Sequence, residues 1–199
     1  SRAAQKQFGM DEPARGPFYL GQRVVSGSEL PAALFNEIML ETEIAFTLAK
    51  RIDQAIADTA SLKPYVKSLH AAFDVGNFPF RVDEAKPVPA DMVAIGTGAH
   101  VFVLGPAVSP HTDIDDLPLQ VIRNSESIRS SSSANIMDSP WNSLLWCANH
   151  LVEHGKTLEP GMVVLCGTAA PAYRETGQAV KGEYIGDCDI LGTVYLNIQ

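Results

Sequence analysis

Basic residues are scarce in this chain. Fifteen Lys and Arg stand against 23 Asp and Glu among 199 residues, for a formal net charge of −8. With no basic block, neither nucleic acid nor an anionic membrane surface is expected as the main partner. Cysteine is scarcer still. Cys147, Cys166 and Cys188 are widely spaced and form no C-x-x-C pair. That pattern argues against a disulfide framework and against a zinc cluster, and it points to reduced thiols in a cytoplasmic protein. No apolar run reaches the ~18 residues that a membrane span needs, and no secretory leader is expected. Gly96, Gly98 and Gly105 do not build the G-x-G-x-x-G turn of a dinucleotide site. What remains is ordinary: 46% hydrophobic and 19% charged residues suit a soluble fold that buries a core without staples.

Patterning divides the chain into an N-terminal arm and loop over 1–36 and a single unit over 37–199. Residues 1–8 read as a short helix, with Ser1 as N-cap and Gly9 just past its end. Residues 10–31, rich in Gly and Pro, read as loop and turn. Over 37–48 the apolar residues Ile38, Leu40, Ile44, Phe46 and Leu48 alternate with Glu37, Glu41 and Glu43. Period two marks a strand with one face in the core and the other carrying carboxylates. Residues 53–62 read as helix and 70–75 as a second strand, while 91–105 mix strand-forming and small residues. A strand is expected over 117–123 and a polar loop over 130–133. A helix is expected over 140–154, with Ser139 as N-cap, Pro140 at the first position and Gly155 past the end. Closing strands follow at 162–165 and 190–198. Strands do not alternate regularly with helices, so the expected class is α+β, mostly β.

Glu41 and Glu43 lie two residues apart on one strand face, roughly 7 Å from root to root. Carboxylates that close repel unless a cation sits between them. A third acid from a neighbouring strand would complete an all-oxygen site for a hard divalent cation, and Asp74 is the natural candidate. The same E-x-E pattern also describes a solvated strand face. His150-Leu151-Val152-Glu153-His154 matches H-x-x-E-H by letter, but it falls in the last turn of its helix, where histidines meet the helix end or solvent. His70, His100 and His111 are scattered and read as hydrogen-bonded or surface histidines. Cys188 lies between Asp187 and Asp189, which oppose thiolate formation.

The run Leu40-Glu41-Thr42-Glu43-Ile44-Ala45-Phe46 resembles the E-x-E-I-A-F segment of the fumarylacetoacetate hydrolase superfamily. More closely, it is similar to the branch that holds 2-keto-4-pentenoate (2-hydroxypentadienoate) hydratases and 4-oxalocrotonate decarboxylases. Gln7 to Pro13, Ala90 to Ala94 with Phe102 to Gly105, Ser139 to Leu151, Leu158 to Gly167 and Leu191 to Val194 agree in order, so the resemblance spans nearly the whole chain. It implies a mixed β-roll or barrel with flanking helices. It also implies Mg²⁺ or Mn²⁺ held by Glu41, Glu43 and Asp74, gripping the 2-oxo acid end of a small substrate from aromatic breakdown, with Thr168 near that substrate. A homo-oligomer is implied, as is association with a related decarboxylase or hydratase. The implied reaction is hydration of a 2-oxo or 2-hydroxy-dienoic acid, with decarboxylation, C–C hydrolysis or a non-catalytic role as alternatives. The branch's lysine, in a K-x-G-x-T-S motif, would fall before Ser1. Its third ligand is usually Glu where Asp74 stands. Its D-S-R, Asp-Asn and acidic-pair positions are filled here by Asn77-Phe78-Pro79, Ile95-Gly96 and the neighbourhood of Leu20-Gly21.

Overall fold

The computed structural model describes residues 1–2, 5–6, 9–79 and 88–199. In chain order its strands and α-helices are β1 (Arg23–Val24), β2 (Ser28–Leu30), β3 (Glu37–Leu48), α1 (Thr59–Leu62), β4 (Val66–Asn77), α2 (Pro89–Ala94), β5 (Ala99–Leu104), β6 (Pro118–Arg123), β7 (Glu126–Ser132), α3 (Pro140–Glu153), β8 (Val163–Leu165), β9 (Tyr173–Thr176), β10 (Gly182–Asp187) and β11 (Thr193–Ile198). One sheet runs β1-β5-β4-β3-β8, with β9 also paired to β3, and a second runs β2-β11-β10-β6-β7. The mostly-β expectation and its roll-like layering hold. The barrel expectation needs correction, because among the described residues neither sheet closes on itself.

The strand expected over 37–48 forms with those bounds, because its even-numbered row is apolar but for Thr42, whose buried hydroxyl donates to the Gln120 carbonyl at 2.7 Å. Ile38, Leu40, Ile44, Phe46 and Leu48 are fully buried, as are Leu69, Ala71, Phe73 and Val75 of β4. They share one core with Leu119, Val121, Tyr184, Val194, Leu196 and Ile198 of the second sheet. Each large side chain removed from water contributes roughly 2–3 kcal/mol. The layers approach closely at Gly186, where a Cβ would lie 2.8 Å from the Phe73 ring and 2.9 Å from Val194.

Helix α3 follows its predicted signals. Ser139 Oγ accepts from the Trp141 N–H at 3.1 Å, Pro140 opens the helix, and Gly155 has φ +68° past its end. Trp141, Leu144 and Ala148 are buried, and the Trp141 ring lies 5.1 Å from that of Phe46.

Several local expectations are corrected. The helix expected over 53–62 shrinks to the single turn of α1, capped by Asp58 through the Ser61 N–H at 2.7 Å. The stretch before it is held in an irregular path, since the Asn149 side chain bonds both the N–H and the C=O of Ile56 at 2.8 Å. The polar loop expected at 130–133 belongs largely to β7. The β6–β7 hairpin turns at Asn124 (φ +47°) and Ser125 (φ +71°), the left-handed pair that a tight two-residue hairpin needs. Residues 189–191 form a 3₁₀ turn before β11, so the closing strand begins at Thr193 rather than 190. β1 and β2 lie inside the stretch expected to be loop, and β9 and β10 had no sequence signal. Of the helix expected over 1–8, residues 3, 4, 7 and 8 lie outside the described residues; Gln5 N–H donates to the Ser1 carbonyl at 3.1 Å.

Along one edge, β3 pairs with β9 through Glu37 to Leu40 and with β8 through Ala45 to Thr47. The two partner strands therefore leave a gap beside residues 41–44, which the loop after Leu165 spans.

Candidate metal centre

The antiparallel register of β3 and β4 sets Glu41 opposite Asp74 and Glu43 opposite Ala72. Directly opposed residues point to the same face, and residues two apart on one strand share that face. Glu41, Glu43 and Asp74 thus converge on one side of the sheet, with one potential ligand atom from each lying within 4.8 Å of the others. The three acids singled out from the sequence are brought together. The carboxylate face is less wet than its alternation suggested: Glu43 is 1% exposed, and Glu41 and Asp74 are half-buried.

Burial dominates the electrostatics. It pushes the Glu41 carboxyl up to about 8, with the Asp74 charge adding to the shift. It pushes Asp74 up to about 7. Glu43 is raised well above the carboxylate range by burial, then by Asp74 and Glu41. The Gly167 N–H opposes that rise by donating to Glu43 Oε2 at 2.7 Å. Asp74 Oδ1 is buried with no hydrogen-bond partner. A buried carboxylate oxygen without a donor is costly, and the oxygen-only donor set matches what a hard divalent cation takes.

Thr168 sits on the loop that spans the gap beside β3. Its hydroxyl donates to the Ala170 carbonyl at 2.5 Å and accepts from the Ala170 N–H at 3.3 Å, so it braces the loop. A pocket of about 10 Å³, the size of one water, is lined by Thr168, Glu41 and, from β7, Arg129 and Ser131. Arg129 did not stand out in the sequence, and Gly167 did so only within the stretch that carries the resemblance, not for its amide. A main-chain donor has no residue signature, and the part of β7 before the polar stretch at 130–133 carries no expectation.

The other candidates lie elsewhere. His70 is buried; its Nδ1 bonds the Gly105 carbonyl at 2.9 Å, and its Nε2 lies 2.9 Å from both Ser68 Oγ and Thr47 Oγ1. His100 packs edge-on against Phe35, and His111 is exposed. In the H-x-x-E-H stretch, Arg15 Nε donates to His150 Nδ1 at 3.0 Å, and His154 Nδ1 bonds the His150 carbonyl at 2.8 Å. The rings stack 4.3 Å apart. His150 Nδ1 is therefore an acceptor already in use, which disfavours a shared metal there. The Cys188 thiol is pushed up to about 12, by burial more than by Asp187.

A model of the fumarylacetoacetate (FAA) hydrolase C-terminal family matches residues 6–193. The chain belongs to this family. Among curated relatives, a 2-keto-4-pentenoate hydratase of Burkholderia vietnamiensis is 29% identical, over 98% of this chain and 73% of that protein. A 4-oxalocrotonate decarboxylase of a Pseudomonas species is 27% identical, over 86% of this chain and 66% of that one. Among solved structures, the 4-oxalocrotonate decarboxylase from Pseudomonas putida G7, complexed with magnesium and adipate, superposes with a TM-score of 0.88 at 18% identity. It covers all of this chain and 74% of its own. That likeness is one of fold. Among the described residues, no helix is long and apolar enough to cross a membrane.

Proposed function

We propose that the chain is a divalent-metal-dependent hydratase acting on a 2-oxo or 2-hydroxy-dienoic acid. The observation that carries this reading is the convergence of Glu41, Glu43 and Asp74 around a buried oxygen with no partner. The names of the relatives, hydratases and a decarboxylase of small unsaturated 2-oxo acids, supply the substrate class.

Glu41, Glu43 and Asp74 would hold Mg²⁺ or Mn²⁺. When bound, the cation supplies Lewis-acid polarisation of the substrate's 2-oxo group and carboxylate. The chain's own residues do the rest of the positioning. Gly167 fixes the Glu43 carboxylate, while the half-buried Glu41 lines the small pocket with Thr168, Arg129 and Ser131. Beside Glu43, Ala45, Ala72 and Leu104 form an apolar cluster with Val163 and Leu165. That wall suits the hydrocarbon part of a dienoate and keeps bulk water from it. Water adds across the conjugated double bond, its oxygen forming a C–O bond and its hydrogens going to the hydroxyl and a carbon, to give a hydroxy-2-oxo acid.

The test pairs binding with turnover. Mn²⁺ should bind the intact chain and fail to bind Glu41→Ala/Glu43→Ala. 2-Hydroxypenta-2,4-dienoate should yield a hydrated keto acid. Equal, negligible Mn²⁺ affinity in both proteins would remove the basis of the reading.

A non-catalytic relative is the second reading, and one observation favours it. The positions after Asp74 have structural tasks. Asn77 accepts from the Asn36 N–H at 2.9 Å and donates to the Leu34 carbonyl. Phe78 is buried with Met39 and Met92 and lies 4.3 Å under the Arg174 guanidinium. Metal binding without turnover of a dienoate or an oxalocrotonate would select that reading. Release of CO₂ would select decarboxylation, and cleavage to pyruvate would select C–C hydrolysis.

A further inference from the structure

We propose that Ser143 is a positioning residue for Glu43, acting through a single peptide unit; this rests on the reading of Glu43 as a metal ligand. Ser143 lies half-buried on α3, and its Oγ donates to the Cys166 carbonyl at 2.6 Å. The N–H of that same peptide unit belongs to Gly167 and donates to Glu43 Oε2 at 2.7 Å.

A trans peptide holds its C=O and N–H in one plane, pointing in opposite directions. A hydroxyl that anchors the oxygen therefore aims the N–H. Chained hydrogen bonds also polarise each other, so a donor on the carbonyl makes the N–H a stronger donor to the carboxylate.

The surroundings make such an anchor useful. The peptide lies just past the end of β8, immediately after the last bond to β3, from the Cys166 N–H to the Ile44 carbonyl at 3.0 Å. Cys166 is buried in the core, but Gly167 sits at φ +86° with open space where a side chain would be, so no side chain braces the Gly167 end of this plane. Helix α3, fixed by Trp141, Leu144 and Ala148 in the core, supplies a rigid mount for the hydroxyl. The line Ser143 Oγ–H to O=C–N–H to Glu43 couples the best-packed helix to the most buried acid of the cluster. Outer partners of this kind orient metal-binding side chains and tune their affinity.

Ser143→Ala tests the inference with two readouts. The first is Mn²⁺ affinity, expected to fall about tenfold, the lower end of what losing an outer partner does. The second is the Gly167 amide resonance of the metal-free protein, expected to move upfield and to exchange faster with solvent. Ser143→Thr should restore both. Asn149→Ala, on the same helix, should lower stability while leaving both at wild-type values. Wild-type affinity or a wild-type Gly167 amide in Ser143→Ala would overturn the proposal, as would an equal loss in Asn149→Ala. If the wild-type chain binds no Mn²⁺, the metal reading fails, and the amide response alone decides whether Ser143 aims the Gly167 N–H.

Discussion

Glu41 and Asp74 stand face to face across the β3–β4 ladder, the cross-strand relationship in which like charges repel most strongly. Burial strengthens that repulsion, opposed only in part at Glu41 by the amino-terminal charge. The metal-free protein therefore keeps them protonated well above the pH at which free carboxyls ionise.

Stability of the metal-free form should consequently fall as pH rises. With Glu41 at about 8 and Asp74 at about 7, the folded chain binds protons that the unfolded chain has already released above its ordinary carboxyl values of 4.5 and 3.8. The stabilising contribution is full below those ordinary values and is lost by about pH 8. Thermal unfolding in chelator should show a Tm that declines between pH 5 and 8. With saturating Mg²⁺ the decline should flatten or reverse, since cation binding needs the deprotonated acids.

Asp74→Asn should separate the cost of the cluster from its use. At pH 8 and above, where the pair loses its protons, removing one acid should stabilise the metal-free protein by about 1 kcal/mol. The same change should weaken Mn²⁺ binding by about 100-fold or more, because on the proposed reading it removes a direct ligand rather than an outer one. Chemical denaturation and metal titration on the same preparation would check both halves.

The β6–β7 turn invites a stabilising change. Ser125 occupies φ +71°, which costs a side-chain-bearing residue and costs glycine nothing. Ser125→Gly should raise stability by about 0.5 kcal/mol, the turn strain relieved being partly offset by added freedom in the unfolded chain. Urea midpoints would measure it, with metal affinity unchanged.

Gly186→Ala should do the opposite. A methyl there would press on Phe73 and Val194 at less than contact distance, forcing the two layers apart and costing about 1–3 kcal/mol. Because Phe73 adjoins Asp74 on β4, a small loss of Mn²⁺ affinity should accompany the fall in Tm.

What could be read from the sequence was what repeats along it. β3 showed both its rows in its letters, and α3 announced both ends through Ser139, Pro140 and Gly155. The acids of the cluster were legible for the same reason, as an i, i+2 pair plus a counterpart on the next alternating strand. β7 was not, because Ser130 to Ser132 are polar on an exposed edge and carry no burial pattern. The helix expected at 53–62 failed because Asn149, distant in sequence, holds the Ile56 backbone in another path. The Gly167 amide and its Ser143 anchor depend on where a loop crosses a helix, which no local spacing encodes.

The break between β9 and β8 alongside residues 41–44 has an architectural consequence. Glu41 and Asp74 take their register from the β3–β4 ladder, whereas Thr168 to Pro171 hang from the opposite margin of β3. Residues 168–171 can be exchanged without shifting the register that sets Glu41 opposite Asp74, provided Cys166 and Gly167, which hold Glu43, stay in place. Under the proposed metal-binding reading, substrate preference can thus diverge while the three acids keep their places, and loop grafts at 168–171 are the natural place to redirect it.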